Sequence, residues 1–371
     1  MKRLLLCLGF LAAFNFGRAQ LPVSTAPENK NVVLEEYTGI YCVFCPDGHR
    51  IASNLKSSNP QDVVLLNIHT GSFAAPNGND PDFRTFVGTY MASGTGIAGY
   101  PAGSVNRRVF TGLGQREDGM AMSRSNWTTA AGDILAESSY VNIAAEALYD
   151  LATDEIKVDI EIYFTGNQQS ATPVKLYVAL LQNNVPGPQT GANNNPSQVL
   201  PNGSYNHMHM LRDLMSSRFG DDIDTSNGKL VRMTYTYPLP ADIDGVATNP
   251  QDMEVVAFVA EGAAPIITGT TASYVVGNVS VPEFDAQLVD LRVYPNPTAN
   301  KLIVSLETEE DNQANIEVLD YSGKLMKTIP DFSLLKGQNE IEVAVNNLES
   351  GVYLLKLNID GRSVTEKFMV K

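Results

Sequence analysis

The sequence predicts an α/β region, then a β-rich sandwich, then a small all-β sandwich at the C-terminal end. Three observations predict this order. Over 30–137 short apolar runs alternate with segments of helical spacing. From about residue 138 apolar residues recur with a period of two, joined by polar connections. From 288 onward short strand patterns follow one another to the last residue. A length of 371 residues exceeds one ordinary domain. A hydrophobic share of 43% against 18% charged excludes a disordered chain. The net charge of −15 argues against a nucleic-acid partner, which would call for a basic face.

The first residues read as an address. Lys2 and Arg3 precede an apolar run from Leu4 to Phe16, and Ala19 closes the pattern, so 1–19 is expected to be a secretory signal peptide. The run is too short for a spanning helix. Loss of Lys2, Arg3 and Arg18 takes the net charge from −15 to −18. Cys7 goes with the signal. Of three cysteines, Cys42 and Cys45 remain, in a compartment where a disulfide persists.

Val32 to Tyr37 is expected as a strand, and Asp47 to Lys56 as a helix, with Ile51, Ala52 and Leu55 on one face. Pro46 suits the first turn, where a missing N–H costs nothing. Asp62 to His69 reads as a buried strand. Phe83, Phe86, Val87, Tyr90 and Met91 give the next helix its stripe. Ser104 to Phe110 reads as a strand and Trp127 to Glu137 as a helix, with Gly-rich loops over 71–81 and 94–103. Beyond 138, Ile156, Val158, Ile160 and Ile162 alternate with Lys157, Asp159 and Glu161. Segments 174–181, 230–237 and 253–260 are read in the same way, with a helical interruption near Met210 to Met215. In the last unit Asp360-Gly361 has the chemistry of a two-residue hairpin turn.

The chemistry concentrates at Cys42-Val43-Phe44-Cys45. A cysteine at a helix start has its thiolate stabilised by free N–H groups and the helix dipole, and a second one, three positions on, can close a disulfide with it. A four-cysteine zinc site needs a second pair, which the sequence lacks.

Val33-Leu34-Glu35-Glu36-Tyr37, followed by Tyr41 and the cysteine pair, resembles the active-site strand and turn of thioredoxin-like proteins. The resemblance implies a thioredoxin-like domain over 30–137. It implies a buried carboxylate at Glu36 that moves a proton for Cys45, and a cis proline at Pro101, in Tyr100-Pro101, that faces the disulfide. Val43-Phe44 replaces the family's Gly-Pro spacer. A narrower resemblance rests on Glu-Glu-Tyr-Thr-Gly before the cysteines, Gly99-Tyr100-Pro101 with Asn106-Arg107, and Asn206-His207-x-His209-x-Leu211-Arg212. These resemble the twenty-eight-kilodalton outer-membrane protein (Omp) family of Bacteroidota, over roughly 30 to 270. A β-rich sandwich domain would then occupy 138–278 and a linker 279–287.

Val293-Tyr294-Pro295-Asn296-Pro297-Thr298, Val318-Leu319-Asp320-Tyr321-Ser322-Gly323-Lys324, Gly351-Val352-Tyr353 and the terminal Lys367-Phe368-Met369-Val370-Lys371 resemble the C-terminal sorting domain of the type IX secretion system. The sorting domain is placed at 288–371. It implies the type IX machinery as a partner, export to the cell surface or beyond, removal of the tail, and transfer to an anionic lipopolysaccharide.

Other candidates are weighed against plainer readings. His49 is expected on a solvated helix face, with a place beside the cysteines as the other reading. His207 and His209 would share a strand face, a spacing open to metal, but no third ligand is identifiable. Asp222, Asp224 and Ser226 echo a calcium loop, yet Gly228 comes one place late and Met233 stands where a Glu belongs. Met208, Met210 and Met215 read as packing. No cofactor is expected. Two functions stay open: thiol–disulfide exchange with a protein substrate through Cys42 and Cys45, or a surface binding or adhesion protein in which their bridge only braces a loop.

Overall fold

The computed structural model describes residues 23–168, 171–224, 229–277, 291–308, 310–320, 324–359 and 362–371. The expected signal peptide, Cys7, the linker, Ser226, Gly228, the segment Tyr321-Ser322-Gly323 and the Asp360-Gly361 turn lie outside the described residues. Two compact units divide the chain, 1–278 and 279–371.

The first unit begins with β1 (Val32–Thr38), α1 (Cys45–Ser58), β2 (Val63–His69) and α2 (Phe86–Ala92). Next come β3 (Ala102–Val105), β4 (Met122–Ser123) and α3 (Trp127–Leu135). Long strands follow: β5 (Val141–Asp150), β6 (Glu155–Phe164) and β7 (Val174–Gln182). The next are short: β8 (Val185–Gly187), β9 (Tyr205–His207), β10 (Met210–Leu214) and β11 (Asp221–Asp222). The unit closes with β12 (Leu230–Pro238), the small hairpin β13 (Asp242–Ile243) and β14 (Val246–Ala247), β15 (Met253–Glu261), β16 (Ile266–Thr271) and β17 (Ser273–Gly277).

Among the described residues, one sheet runs in the order β16-β15-β7-β10-β2-β1-β3-β4, with β11 also on β7. This corrects the expected thioredoxin-like α/β domain. The strands expected in that domain and those expected in the following sandwich share one hydrogen-bonded ladder. β2 pairs in parallel with β1 on one side and with β10 on the other. β10, β7 and β15 then pair antiparallel in turn. The chain is accordingly mostly β, in several sheets, and the sheet crosses residue 138 without a boundary. The signal lay in β7 itself. Val174–Gln182 is buried at nearly every position, as a strand covered on both faces must be, and is not the one-sided strand of a free-standing sandwich.

Alternation along the strands assigns the two faces. Val33 and Tyr37 of β1, Val64, Leu66 and Ile68 of β2, Tyr177, Ala179 and Leu181 of β7, and Val256 and Phe258 of β15 share one core, with Met91 and Ala92 of α2 upon it. On the opposite face, Val32, Leu34, Val63 and Leu65 meet Ala52 and Leu55 of α1 and Trp127, Ala130 and Ile134 of α3. Farther along, Leu176, Val178, Leu180, Val255, Ala257 and Val259 face a second sheet, β12-β6-β5-β17. There the alternating Ile156, Val158, Ile160 and Ile162 point inward. The segment expected to interrupt this region as a helix, Met210 to Met215, is instead strand β10, because its backbone fills the ladder between β2 and β7.

A buried ion pair locks the first face. Arg107 donates to Glu35 Oε1 through Nε at 2.8 Å and Nη2 at 2.5 Å, and through Nη1 to the Ala263 carbonyl at 3.0 Å. Its guanidinium lies 5.1 Å from the ring centres of both Tyr177 and Phe258. Glu35 Oε2 accepts from Ser104 Oγ and Tyr37 OH. Beside it, Asn106 in the left-handed region (φ 49°) accepts from the Val33 N–H and donates to the Asn31 and Ile266 carbonyls.

The second unit holds β18 (Arg292–Tyr294), β19 (Lys301–Thr308), β20 (Asn312–Asp320), β21 (Leu325–Leu334), β22 (Gly337–Ala344), β23 (Gly351–Ile359) and β24 (Arg362–Val370). Sheets β18-β19-β22 and β21-β20-β23-β24 enclose a core of Leu302, Val304, Ile316, Val318, Val343, Leu355, Leu357 and Phe368. Edge strand β18 stops before Pro295, which has no N–H to give a neighbour.

Glu35→Gln leaves the Arg107 charge buried without its counter-ion. Urea unfolding of the first unit is expected to show a loss of about 3–5 kcal/mol.

Candidate functional site

Cys42 and Cys45 form a disulfide, with their Cα atoms 5.3 Å apart. Cys45 is the first residue of α1, Phe44 is the N-cap, and Pro46 lies in the first turn. The turn is drawn tight by the Cys42 N–H on the Gly39 carbonyl and the Cys45 N–H on the Cys42 carbonyl. Val43 and Phe44 stand outward, 48% and 56% exposed, while Cys42 is 3% exposed and Cys45 fully buried.

What covers the pair comes from far along the chain. Gln189 Nε2 donates to the Cys42 and Gly39 carbonyls at 3.0 and 3.3 Å, the Thr190 N–H to the Ile40 carbonyl at 2.8 Å, and Asn194 Nδ2 to the Val43 carbonyl at 2.9 Å. Gly191 has φ 74°, and a Cβ there would lie 2.1 Å from the Val43 oxygen. The residues of this loop sit between β8 and β9, in one of the polar connections that join the strands of this region.

Glu36 projects from the other face of β1 than Glu35, under the first turn of α1. A Cβ at Gly48, three residues after Cys45, would lie 2.7 Å from Glu36 Oε1, 3.1 Å from the Trp127 ring and 3.2 Å from the Pro101 ring. Glu36, Pro101 and Trp127 therefore converge one helical turn from Cys45. The Tyr100-Pro101 bond is cis. Both Glu36 carboxyl oxygens are buried without a hydrogen-bond partner among the described residues. Burial pushes its pKa well above the ordinary carboxylate value and so favours the protonated form. Glu35, by contrast, is paired with Arg107.

His49 is not on a solvated face. It is 3% exposed, with Nε2 3.0 Å from Thr38 Oγ1 and Nδ1 2.8 Å from the Tyr205 hydroxyl. Its helix face packs onto β1 and β9 through Thr38 and Tyr205, neighbours that helical spacing alone does not reveal. Burial first, then the nearby His207 and His209, depress its pKa to about 3. Its Nε2 is also 3.6 Å from Glu36 Oε1. That separation would suit an ion pair, but burial drives each group to its neutral form, so a carboxyl faces a neutral imidazole.

His207 and His209 do not converge. β9 ends at His207, and His209 takes φ 52° in the turn beyond. His207 packs against His69 and Phe83, with ring centres 5.2 and 5.0 Å away, and burial depresses its pKa to about 4. His209 Nδ1 instead lies 2.7 Å from Glu254 Oε2. No cluster of three or more His, Cys, Asp or Glu suited to a metal occurs among the described residues. Of the methionines, Met210 is buried beside Ile40 and Phe83. Residues that sequence reasoning missed are Thr38, His69, Gln189, Asn194 and Tyr205. Only the Asn206-His207 motif pointed near them.

Residues 90–268 match the profile of Outer membrane protein Omp28, and residues 292–371 match that of the Secretion system C-terminal sorting domain. No curated protein matches the chain. Among solved structures, HBP35 of Porphyromonas gingivalis is similar at 20% identity and a TM-score of 0.50, covering 93% of this chain and 99% of its own. A protein of Agrobacterium tumefaciens reaches 14% identity and a TM-score of 0.40, covering 67% of this chain and 96% of its own. The first likeness speaks to fold alone.

The buried imidazoles set a pH dependence. His49 and His207 are held near 3 and 4 when folded and return to about 6.5 when unfolded. The unfolded chain binds more protons in that window, so stability present above pH 6.5 is lost as pH falls toward 4. Each imidazole contributes about 1.4 kcal/mol per pH unit. Glu36, raised when folded, has the opposite sign. Urea midpoints from pH 7 to 4 are expected to fall less steeply in His207→Gln and more steeply in Glu36→Gln.

Proposed function

Because the chain belongs to the Omp28 outer membrane protein family and carries a type IX sorting domain that sends it to the cell surface, we propose that it exchanges thiols and disulfides there through Cys42 and Cys45. The observation that supports this reading is Glu36. A carboxyl buried with neither oxygen hydrogen-bonded costs several kcal/mol against a well-packed apolar residue. Its place beneath the helix that Cys45 opens gives that cost a purpose.

An incoming substrate thiolate attacks Cys42 Sγ, forming a mixed disulfide and breaking the Cys42–Cys45 bond. Glu36 gives its proton to the departing Cys45 thiolate. A second substrate thiolate then displaces Cys42, so the substrate is oxidised by two electrons and the protein pair reduced. The reverse sequence reduces a substrate disulfide, with Glu36 taking the Cys45 proton before Cys45 resolves the mixed species. Pro101 flanks the site where the substrate backbone would lie. The loop carrying Gln189 and Asn194 must lift for either direction.

The second reading, a surface binding or adhesion protein with a structural bridge, draws support from that same loop and from the burial of both cysteines. The C-terminal sorting domain engages the type IX secretion machinery. We further propose that the tail is then removed and the new end joined to anionic lipopolysaccharide.

Exchange with model disulfides is expected to disappear in Cys42→Ser. Gly191→Ala, by forcing the loop from Val43 at a strain of about 1 kcal/mol or more, is expected to speed reduction of the pair roughly fivefold. Unchanged exchange in Cys42→Ser, or a reduction potential far below about −300 mV, would favour the bracing role instead. For the tail, mass spectrometry of surface protein is expected to find the chain ending before 292. Recovery of an intact Lys371 terminus would exclude removal.

A further inference from the structure

His49 has a chemistry that the exchange scheme above leaves unused. Tyr205 donates its single hydroxyl proton to Gln198 Oε1 and accepts from Asn195 Nδ2 at 3.2 Å. Asn195 Nδ2 also donates to Gln198 Oε1 at 2.8 Å, which fixes that amide with its oxygen inward. With its proton committed, the Tyr205 oxygen accepts from His49 Nδ1. The hydrogen-bond network thus assigns the imidazole its proton on Nδ1 and its lone pair on Nε2. That lone pair faces the Thr38 hydroxyl at 3.0 Å and Glu36 Oε1 at 3.6 Å.

We propose that Glu36 and His49 act as one couple holding a single proton, in which His49 Nε2 takes the proton of Glu36 so that the freed carboxylate can receive the proton of Cys45, and that Tyr205 positions the imidazole for this transfer. The purpose of the couple rests on the exchange reading, whereas its existence does not. In the reduced protein the Cys45 thiol passes its proton to Glu36. The Cys45 thiolate attacks Cys42 Sγ of the mixed disulfide, the Cys42–Cys45 bond forms, and the bond from Cys42 to the substrate sulfur breaks. The substrate thiolate leaves with two electrons from the dithiol. As Glu36 takes the Cys45 proton, the imidazolium loses its counter-ion and releases its own proton to solvent, so the couple again holds one.

A histidine kept only for packing would not explain its partner. Glu36 has its oxygens without a hydrogen-bond partner among the described residues, and His49 Nε2 lies 3.6 Å from one of them. Other ionisable groups bear on the couple from the elements around it. They are His207 of β9, His209 beyond it, His69 at the end of β2, the Tyr205 phenol and the cysteine pair. His207 and His209 both oppose a charge on His49, so the protonated imidazole depends on the Glu36 carboxylate for its stability. Arg212 bears on His69. Glu35 and Arg107 lie on the opposite face of β1.

The experiment is isotope-edited infrared titration of the glutamate carboxyls in the full chain, oxidised and reduced, with Glu36→Gln identifying the Glu36 band. His49→Gln is expected to raise the apparent pKa of Glu36 by about one unit or more, because ionisation then lacks its proton acceptor. A smaller shift overturns the proposal. Should that variant not fold, Tyr205→Phe removes one hydroxyl only. It is expected to move the band in the same direction, and no movement overturns the proposal. The pH profile of exchange separates the two readings. If the wild type does not exchange thiols but the Glu36 titration still follows His49, the exchange reading falls and the couple stands. If exchange persists and the titration ignores His49, the couple falls alone.

Discussion

The Glu35–Arg107 pair is the constraint on which the first unit turns. Burying two charges is costly, and the cost is offset only where geometry and further hydrogen bonds are complete. Here Arg107 spends its donors on Glu35 and the Ala263 carbonyl and lies against the rings of Tyr177 and Phe258. One side chain thereby ties β1 to β7 and β15, strands more than 60 residues away along the chain. It also fixes which way β1 faces. A slip of one residue would carry Glu35 to the wrong side, so the register of the strand leading to the cysteines has no freedom.

From that register the character of Glu36 follows. Adjacent residues on a strand point to opposite faces, so Glu36 must project under α1 if Glu35 projects toward Arg107. Two neighbouring carboxyls acquire opposite chemistry. One is a carboxylate with every acceptor used, and the other is a neutral acid with none. The second lies where α1 begins, beside Gly48, whose missing side chain leaves it room. Its surroundings also include Tyr205 and His49, brought together because β9 and its preceding loop fold back over the helix start. The same fold-back closes the loop across Cys42 and Cys45. The Tyr205 partner of His49 and the cover over the disulfide thus come from a single chain excursion between β8 and β10.

The elements around the cysteines were legible because each rests on local rules. Apolar spacing marked β1, α1 and β2, Pro46 marked the helix start, and Tyr100-Pro101 marked the loop that approaches Gly48. The same rules failed at larger scale. Met210 to Met215 has no strand signature, since Arg212 and Asp213 interrupt it, yet it lies between β2 and β7 in the ladder. Val174 to Leu181 reads by alternation as a one-sided strand, whereas its apolar run from Leu176 onward belongs to a strand buried on both faces. His49 reads as solvent-facing because helical spacing alone does not show what packs on the far side of a short helix.

The sequence by itself determined the export address at the C-terminal end, the dithiol and its position at a helix start, and the strand that carries Glu36. These depend on residue order over a few turns or on motifs that need no partner. Only the tertiary structure decided that the expected α/β domain does not stand alone. It also decided that the disulfide is covered, that Glu36 is without a hydrogen-bond partner while Glu35 is not, and that His49 meets Tyr205 across a sequence separation of 156. The reason is physical. Edge hydrogen bonds of a strand and burial of a side chain are both satisfied by whatever arrives in space, and the chain that arrives here comes from a region whose own sequence reads as loop.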